Sequence, residues 1–394
     1  MVDGRGGILR PVFARLEFRD FRGFALAVGL VGGVAVGQTY VVNAAGGPGA
    51  QFTTIAAAVA AVPNGAVLLV RPGVYSGFTI DAKSLAVFAD PGVAVDGLAT
   101  VIEVKNLAAN QAVVLHGVRA NGGLAEARFD LQNCAGPVVL QRCGISPPTS
   151  FGNSGAQVSA LDCADLHIVD CAFPFGGQLQ LGIQGGRAVV ARSTFGANSW
   201  IGPVRITGAR VDFVDCVLSG WGVFGPTTPL LTVDVASTVH LLGSTAITST
   251  MPTAPTWGIG PAGTVVVDPA VQVTAATPFA AGVVMVTRAL PAVSAGSVPL
   301  GTLATATLRV PAGGIGGLFV GLATPWFLVT PFAEPLAIDP TSAVPLGAGA
   351  GMVGGSLVLP PLASLRGTRL CWQGWSYDPA GGWQVSNPIV HAVW

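Results

Sequence analysis

Charge is what this chain has least of. Asp, Glu, Lys and Arg make up 10% of its 394 residues, against roughly 25% in an average soluble domain. The 19 basic and 19 acidic residues cancel to a formal net charge of zero. No basic face is therefore available to displace phosphate counterions, which excludes nucleic acid as a partner. No polybasic stretch marks an anionic membrane surface either. A 51% share of hydrophobic residues excludes a disordered chain, which needs the opposite balance. Metal-ligand spacing is also lacking: there is no Cys-x-x-Cys pair, and His116, His167, His240 and His391 form no cluster in sequence. No metal and no cofactor is expected on these grounds.

Glycine is what the chain has in excess, at 55 residues, about twice the usual share. Such a chain must bury apolar side chains densely and cover its surface with Thr, Ser, Gln and backbone, which suits an all-β protein with many turns. Its length allows two domains, each with a core.

The N-terminus reads as an export address. Arg10, Arg15, Arg19 and Arg22 lead into an uncharged apolar run, Gly23 to Gly37, and Ala35-Val36-Gly37 places small residues where a signal peptidase cuts. The run is shorter than the roughly 20 residues a spanning helix needs. Residues 1–37 are expected to be a signal peptide, with a retained N-terminal anchor as the alternative. A secreted or cell-surface protein with no membrane span after cleavage follows.

From Thr53 the chain reads TTIAAAVAAVPNGAVLLVRPGVYSGFTI. Thr53 or Thr54 can N-cap a short Ala-rich helix that ends at Pro63-Asn64-Gly65. The apolar run Ala66 to Val70 then reads as a strand, and Pro72-Gly73 as a turn into another. A helix capping an open stack of short strands is a sensible start for a solenoid, whose exposed edge is otherwise adhesive.

These pieces resemble the opening of the pectate-lyase-like right-handed β-helix proteins: Thr54-Ile55, the Ala-rich helix 56–62, Asn64-Gly65, the strand 67–70 and Pro72-Gly73-Val74-Tyr75. The likeness extends over roughly residues 40–275. It implies a pectin-lyase-type fold in a secreted bacterial protein, and leaves activity open because that fold hosts many functions.

Internal repeats support the solenoid independently. PVVLQRCGI (137–145), DLHIVDCAF (165–173), RAVVARSTF (187–195), RVDFVDCVL (210–218) and TVHLLGSTA (238–246) share an apolar pair two residues apart, a corner, and then Cys143, Cys171, Ser193, Cys216 or Ser244. Alternation turns the apolar pair inward. Neighbouring cysteines on successive rungs would stand about 4.8 Å apart, wider than the roughly 3.8 Å a disulfide prefers. Stacked free thiols and disulfides both remain open readings, and Cys134 and Cys163 suggest a second column. Just before the first column runs another, Arg142, Asp170, Arg192 and Asp215. It reads either as a solvated ion-pair ladder or as a saccharide-contacting or catalytic strip.

After Thr250 a Pro/Gly/Thr loop (251–263), a last rung (264–274) and a connector (275–300) are expected. Short alternating strands follow at 302–310, 317–322, 355–359 and 368–377, which suggests a small β-sandwich. The expected division is a β-helix over 38–288 and a sandwich over 289–394. The ending, LFVGL … HAVW, resembles a module at the C-termini of exported bacterial proteins. Its terminal Trp394 also matches outer-membrane barrels, for which about 100 residues supply too few strands.

Chemistry is sparse. Gln111-Ala112-Val113 and Arg210 to Val214 resemble pectinesterase motifs faintly, and the glutamine–aspartate pair of those enzymes is missing. Asp212 alternates with inward Val211 and Phe213, which puts it outside. The motifs of polygalacturonase-like enzymes, which pair acids around the scissile bond, are absent. Lyase chemistry would draw on Asp162, Asp165, Asp170 and Asp215 as calcium ligands and on Arg142, Arg192 or Arg205 as base. His167 and His240 share an outward repeat position and read as surface residues. Trp372, Trp375 and Trp383 read as sandwich core, with sugar stacking as the alternative. The Gly349, Gly351, Gly354 pattern lacks a strand–helix context for dinucleotide binding. No catalytic residue is therefore assigned. The expectation is a monomeric, non-catalytic surface or carbohydrate-binding protein whose partner is extracellular polysaccharide or a cell-surface component. The alternative is a divergent polysaccharide lyase or glycoside hydrolase acting on uronic-acid-containing glycans, with calcium under the lyase reading.

Overall fold

The structure, a computed structural model, describes residues 37–97, 100–121, 127–146, 156–173, 179–197, 202–220, 229–249, 257–332, 334–379 and 381–394. The signal peptide expected over 1–37 lies outside them but for Gly37. The body is a parallel β-solenoid with three faces, here A, B and C. Face A is an 11-stranded sheet from Thr39–Val42 to Val284–Thr287, and faces B and C are nine-stranded sheets. Each turn visits A, B and C in order, so Val138–Gln141, Gly144–Ser146 and Ala156–Leu161 form one rung. Among the described residues no helix is long and apolar enough to cross a membrane.

The helix Ile55–Ala61 caps the first turn and buries Ile55, Ala58 and Val59. Thr54 is its N-cap and accepts from the Ala57 N–H at 3.2 Å. Lys83 closes the other end, its Nζ donating to the Val59 and Val62 carbonyls at 2.6 and 2.8 Å, a cation placed where helix carbonyls lack partners. Inside the solenoid, residues of like kind stack rung on rung. Phe173 lies over Phe195 with centroids 5.3 Å apart.

The column Arg142, Asp170, Arg192 and Asp215 is a backbone device before it is an electrostatic one. All four hold positive φ, between 46 and 55°, and each makes the single left-handed step that bends the chain from face A to face B. Gly117 and Gly243 do the same on the flanking rungs. A second column, Ala82, Asn106, Asn133 and Asp162, turns the chain from face C to face A with the same sign of φ. Left-handed φ costs a side-chain-bearing residue roughly 1–2 kcal/mol, and Asn and Asp carry it best.

The small-residue column lies inside the corner as expected, with one correction. Register pairs Val217 with Ala246, so the residue stacked on Cys216 is Thr245, not Ser244. The rung carries one extra residue: Gly243 takes the left-handed step, and the Ser244 N–H donates to Asp215 Oδ1 at 2.8 Å. The thiols of Cys143 and Cys216 lie nearest a carbonyl one rung back, Leu115 and Val190, both at 3.2 Å, whereas the hydroxyls of Ser193 and Thr245 donate within their own rung, to the Ala191 and Leu242 carbonyls at 2.9 and 2.6 Å. All six cysteines are buried free thiols.

The solenoid forms regular strands where the repeat pattern loosens after Thr250. Trp257–Pro261, Thr277–Phe279 and Val284–Thr287, expected in loop and connector, are rungs of faces C and A. Beyond them come two antiparallel sheets. One pairs Ala292–Ala295, Leu303–Arg309 and Met352–Val358; the other is built on Ile315–Phe327 and Arg369–Asp378. They meet through Leu308, Leu318, Val353 and Trp372. Gly374 has a reason to lack a side chain: a Cβ there would stand 2.8 Å from both Leu308 methyls.

Candidate functional site

The antiparallel module lies against the outer surface of face A. Val67, Ala86, Phe88, Val114 and Val139 pack on Ile338, Cys371, Val390 and Ala392. Further along, Val169, Val189, Ala191, Val214 and Leu242 join the module's own core. This explains why face A strands read VVLQ, LHIV and RAVVA with no polar alternation: a parallel strand buried on both sides needs apolar residues on both.

Polar residues enter this seam at a few places, and all four histidines of the chain are among them. His116 stacks on Trp394 with centroids 4.8 Å apart. Burial, with help from the Arg142 cation, pushes its pKa from 6.5 down to about 4. His167 lies parallel to Trp326, and its Nε2 is 2.8 Å from Asp165 Oδ1, which also accepts from Trp326 Nε1 at 2.7 Å. Burial works to raise the Asp165 pKa, but His167, the Trp326 N–H and Arg369 outweigh it and hold the carboxyl below its ordinary range. The two histidines expected at the surface are thus outward on the sheet yet covered: His167 is 1% exposed and the His240 side chain 12%. The reason is the module, which repeat parity could not register.

Asp170 and Arg192 form a two-point ion pair, Nε to Oδ1 at 2.8 Å and Nη2 to Oδ2 at 2.7 Å. His391 of the module adds its ring nitrogen 3.1 Å from Arg192 Nη2. Burial opposes the Asp170 charge, and His391 and Arg192 overcome it, leaving a pKa of about 2. The ladder does not continue. Arg142 instead sits 4.9 Å over the Trp394 ring, and Asp215 caps Ser244.

Asp212 is outside the solenoid, as alternation required, but 2% exposed. His240 Nδ1 lies 3.1 Å from its Oδ1. Against the cost of burial, His240, Arg187 and Arg210 depress its pKa to about 2. Arg187 spreads its guanidinium 3.6 Å over Trp326. Of the tryptophans, Trp372 is fully buried core, whereas Trp383 is 37% exposed and packs at a tilt against Trp375 and Tyr377. Trp394 packs on the solenoid rather than ending a barrel strand. Gly349 and Gly351 link two strands of the module, and Gln111 braces a corner through Nε2 on the Ala82 carbonyl.

Face C is different. Most of its outward positions are polar, Leu161 and Gly182 being exceptions, and the apolar clusters that seat the module draw on face A alone. Register aligns Thr79, Glu103, Asp130, Ser159, Gly182, Arg205 and Thr232 in one column. Asp81, Lys105, Gln132, Leu161, Gln184 and Thr207 form the next. Six rung spacings make the first about 29 Å long. Its charges are tied locally: Lys105 to Glu103 at 2.9 Å and Arg128 towards Asp130 at 3.7 Å. Of the acids and bases named for lyase chemistry, only Arg205 is on this face. Asp165 and Asp170 are in the seam, and Asp162 and Asp215 are at corners. Among the described residues no three carboxylates, histidines or cysteines gather as a cation site.

No protein-family model matches the chain, and no curated protein or solved structure does.

Proposed function

We propose that this is an exported, non-catalytic carbohydrate-binding protein in which the solenoid presents face C to an extended polysaccharide of low charge. The observation that carries the reading is the polar strip itself. Hydroxyl, amide and ion-paired side chains repeat along about 29 Å of a rigid parallel sheet, while face A is occupied by the chain's own module. Such a strip offers hydrogen bonds to sugar hydroxyls at a regular pitch and carries no surplus charge to select an acidic polymer. Catalysis is disfavoured by the direction of titration. A glycosidic general acid needs a raised pKa, yet Asp165, Asp170 and Asp212 are all lowered and Glu103 is lowered by its Lys105 partner. Export rests on the leader-like segment 10–37.

The test is a glycan array probed with the chain from Gln38. Binding to a neutral or weakly charged polysaccharide is expected, and Gln132→Ala with Gln184→Ala should weaken it at least tenfold. Release of reducing ends or unsaturated products from any polysaccharide would overturn the non-catalytic reading. Binding unchanged in the double variant would remove face C from it.

A further inference from the structure

Where Arg187 and Arg210 stand on adjacent rungs of face A, the seam widens into a cavity of about 90 Å³. That is several times the roughly 10–15 Å³ one water needs. Arg187, Arg210, Asp212 and His240 form its solenoid wall, Arg288 its rim, and Glu334 and Trp383 its module side.

The cations of this cavity do not pair off with the acceptors beside them, and Asp212 Oδ1 itself is buried without a hydrogen bond. Arg187 Nη2 and Arg210 Nε approach Asp212 only to 3.7 and 3.9 Å, beyond hydrogen-bond reach. The Nε atoms of both arginines are buried with no acceptor, although buried polar groups in native proteins nearly always have one. Arg210 does reach Glu334 through Nη2. The charge does not close either. Arg187, Arg210 and Arg288 against Asp212 and Glu334 leave one positive charge before His240 is counted, in a chain whose total is zero.

We propose that this cavity is a binding site for a compact carboxylate. A single surplus cation calls for a monoanion, and planar guanidinium groups with free N–H edges match a carboxylate in two-point fashion. The volume admits the carboxylate and its neighbouring carbons. Anything larger attached to it would pass out across the exposed face of Trp383. The site is separate from face C and does not depend on polysaccharide binding there.

The experiment is a titration of the chain from Gln38 with acetate and with benzoate, at ionic strength matched by chloride, followed by tryptophan fluorescence and calorimetry. Saturable binding absent with chloride is expected, and Arg288→Gln should weaken it at least tenfold. Arg288 is exposed, so that variant is expected to fold, and Arg119→Gln on face B controls for general charge loss. Benzoate binding tighter than acetate, with the difference abolished in Trp383→Ala, identifies a ligand whose ring lies over Trp383. Equal binding identifies one that ends near the carboxylate. No saturable response to either anion, or an Arg288→Gln variant that binds as well as the parent, overturns the proposal. Because face C is read on the glycan array, failure here is distinguishable from failure there.

Discussion

Acid should loosen the seam through His116 first, and by a predictable amount. The imidazole is 6% exposed, its Nε2 has no hydrogen-bond partner, and its pKa is about 4 instead of 6.5. The folded pKa lies below the unfolded one, so the unfolded chain takes up the proton more readily. The contribution to stability is therefore intact above pH 6.5, falls as pH drops towards 4, and is fully lost below 4. At about 1.4 kcal/mol per pKa unit the whole loss is roughly 3 kcal/mol, of which about 2 kcal/mol falls between pH 7 and pH 5. His391, whose pKa burial also lowers against the pull of Asp170, adds to the loss in the same direction. In that window the carboxylates contribute little: Asp170 and Asp212, at about 2, lose their contribution only as pH falls below about 4. The perturbation is His116→Phe, which keeps the ring against Trp394 and Phe88 and removes the titrating nitrogen. Urea unfolding of both proteins at pH 7 and pH 5 should show the parent losing about 2 kcal/mol more than the variant. An equal loss in the two would refute the assignment of this acid sensitivity to His116.

Three further outcomes follow from the packing. Arg192→Ala strands Asp170 and His391 in the seam. With the pair about a fifth exposed, urea unfolding at pH 7 should show a loss of about 2–3 kcal/mol, less than for a fully buried pair. Titration with an aromatic disulfide reagent should find no reactive thiol in the native chain and six after unfolding without reductant, since all six are buried and free; four or two would mean disulfides. Gly374→Ala forces a Cβ to 2.8 Å from Leu308 and should cost about 1–3 kcal/mol. Adding Leu308→Ala should cost less than the two separate effects summed, because the second change removes the clash created by the first.

The sequence by itself determined the solenoid and the order of its parts. Alternation inside the repeats at 137–145, 165–173, 187–195 and 210–218 settled which residues face inward, because side chains on a strand have only two directions. The same alternation correctly set Asp212, His167 and His240 outside. It missed the extra residue at Gly243-Ser244, since a one-residue bulge at a left-handed glycine leaves no periodic trace. For Arg142, Asp170, Arg192 and Asp215 it left open a solvated ion-pair ladder and a saccharide-contacting or catalytic strip. The two arginines gave no hint that the backbone needs positive φ, although aspartate tolerates it; the demand is set by the corner and not by the side chain.

A signal for the covered face was present and went unused. Strands such as VVLQ and LHIV carry Val139 and Val169 at outward positions, and apolar residues on both sides of a parallel strand mean a second layer. Which layer, and where its polar residues land, only the tertiary structure decided. Glu334, Trp326 and His391 stand from 124 to 221 residues along the chain from the solenoid partners they meet, Arg210, Asp165 and Asp170. No local pattern ties such distant positions together. The pairing arises because an apolar sheet face and an apolar module lose less to water when each covers the other, and the charges caught between them are then fixed by whatever stands opposite.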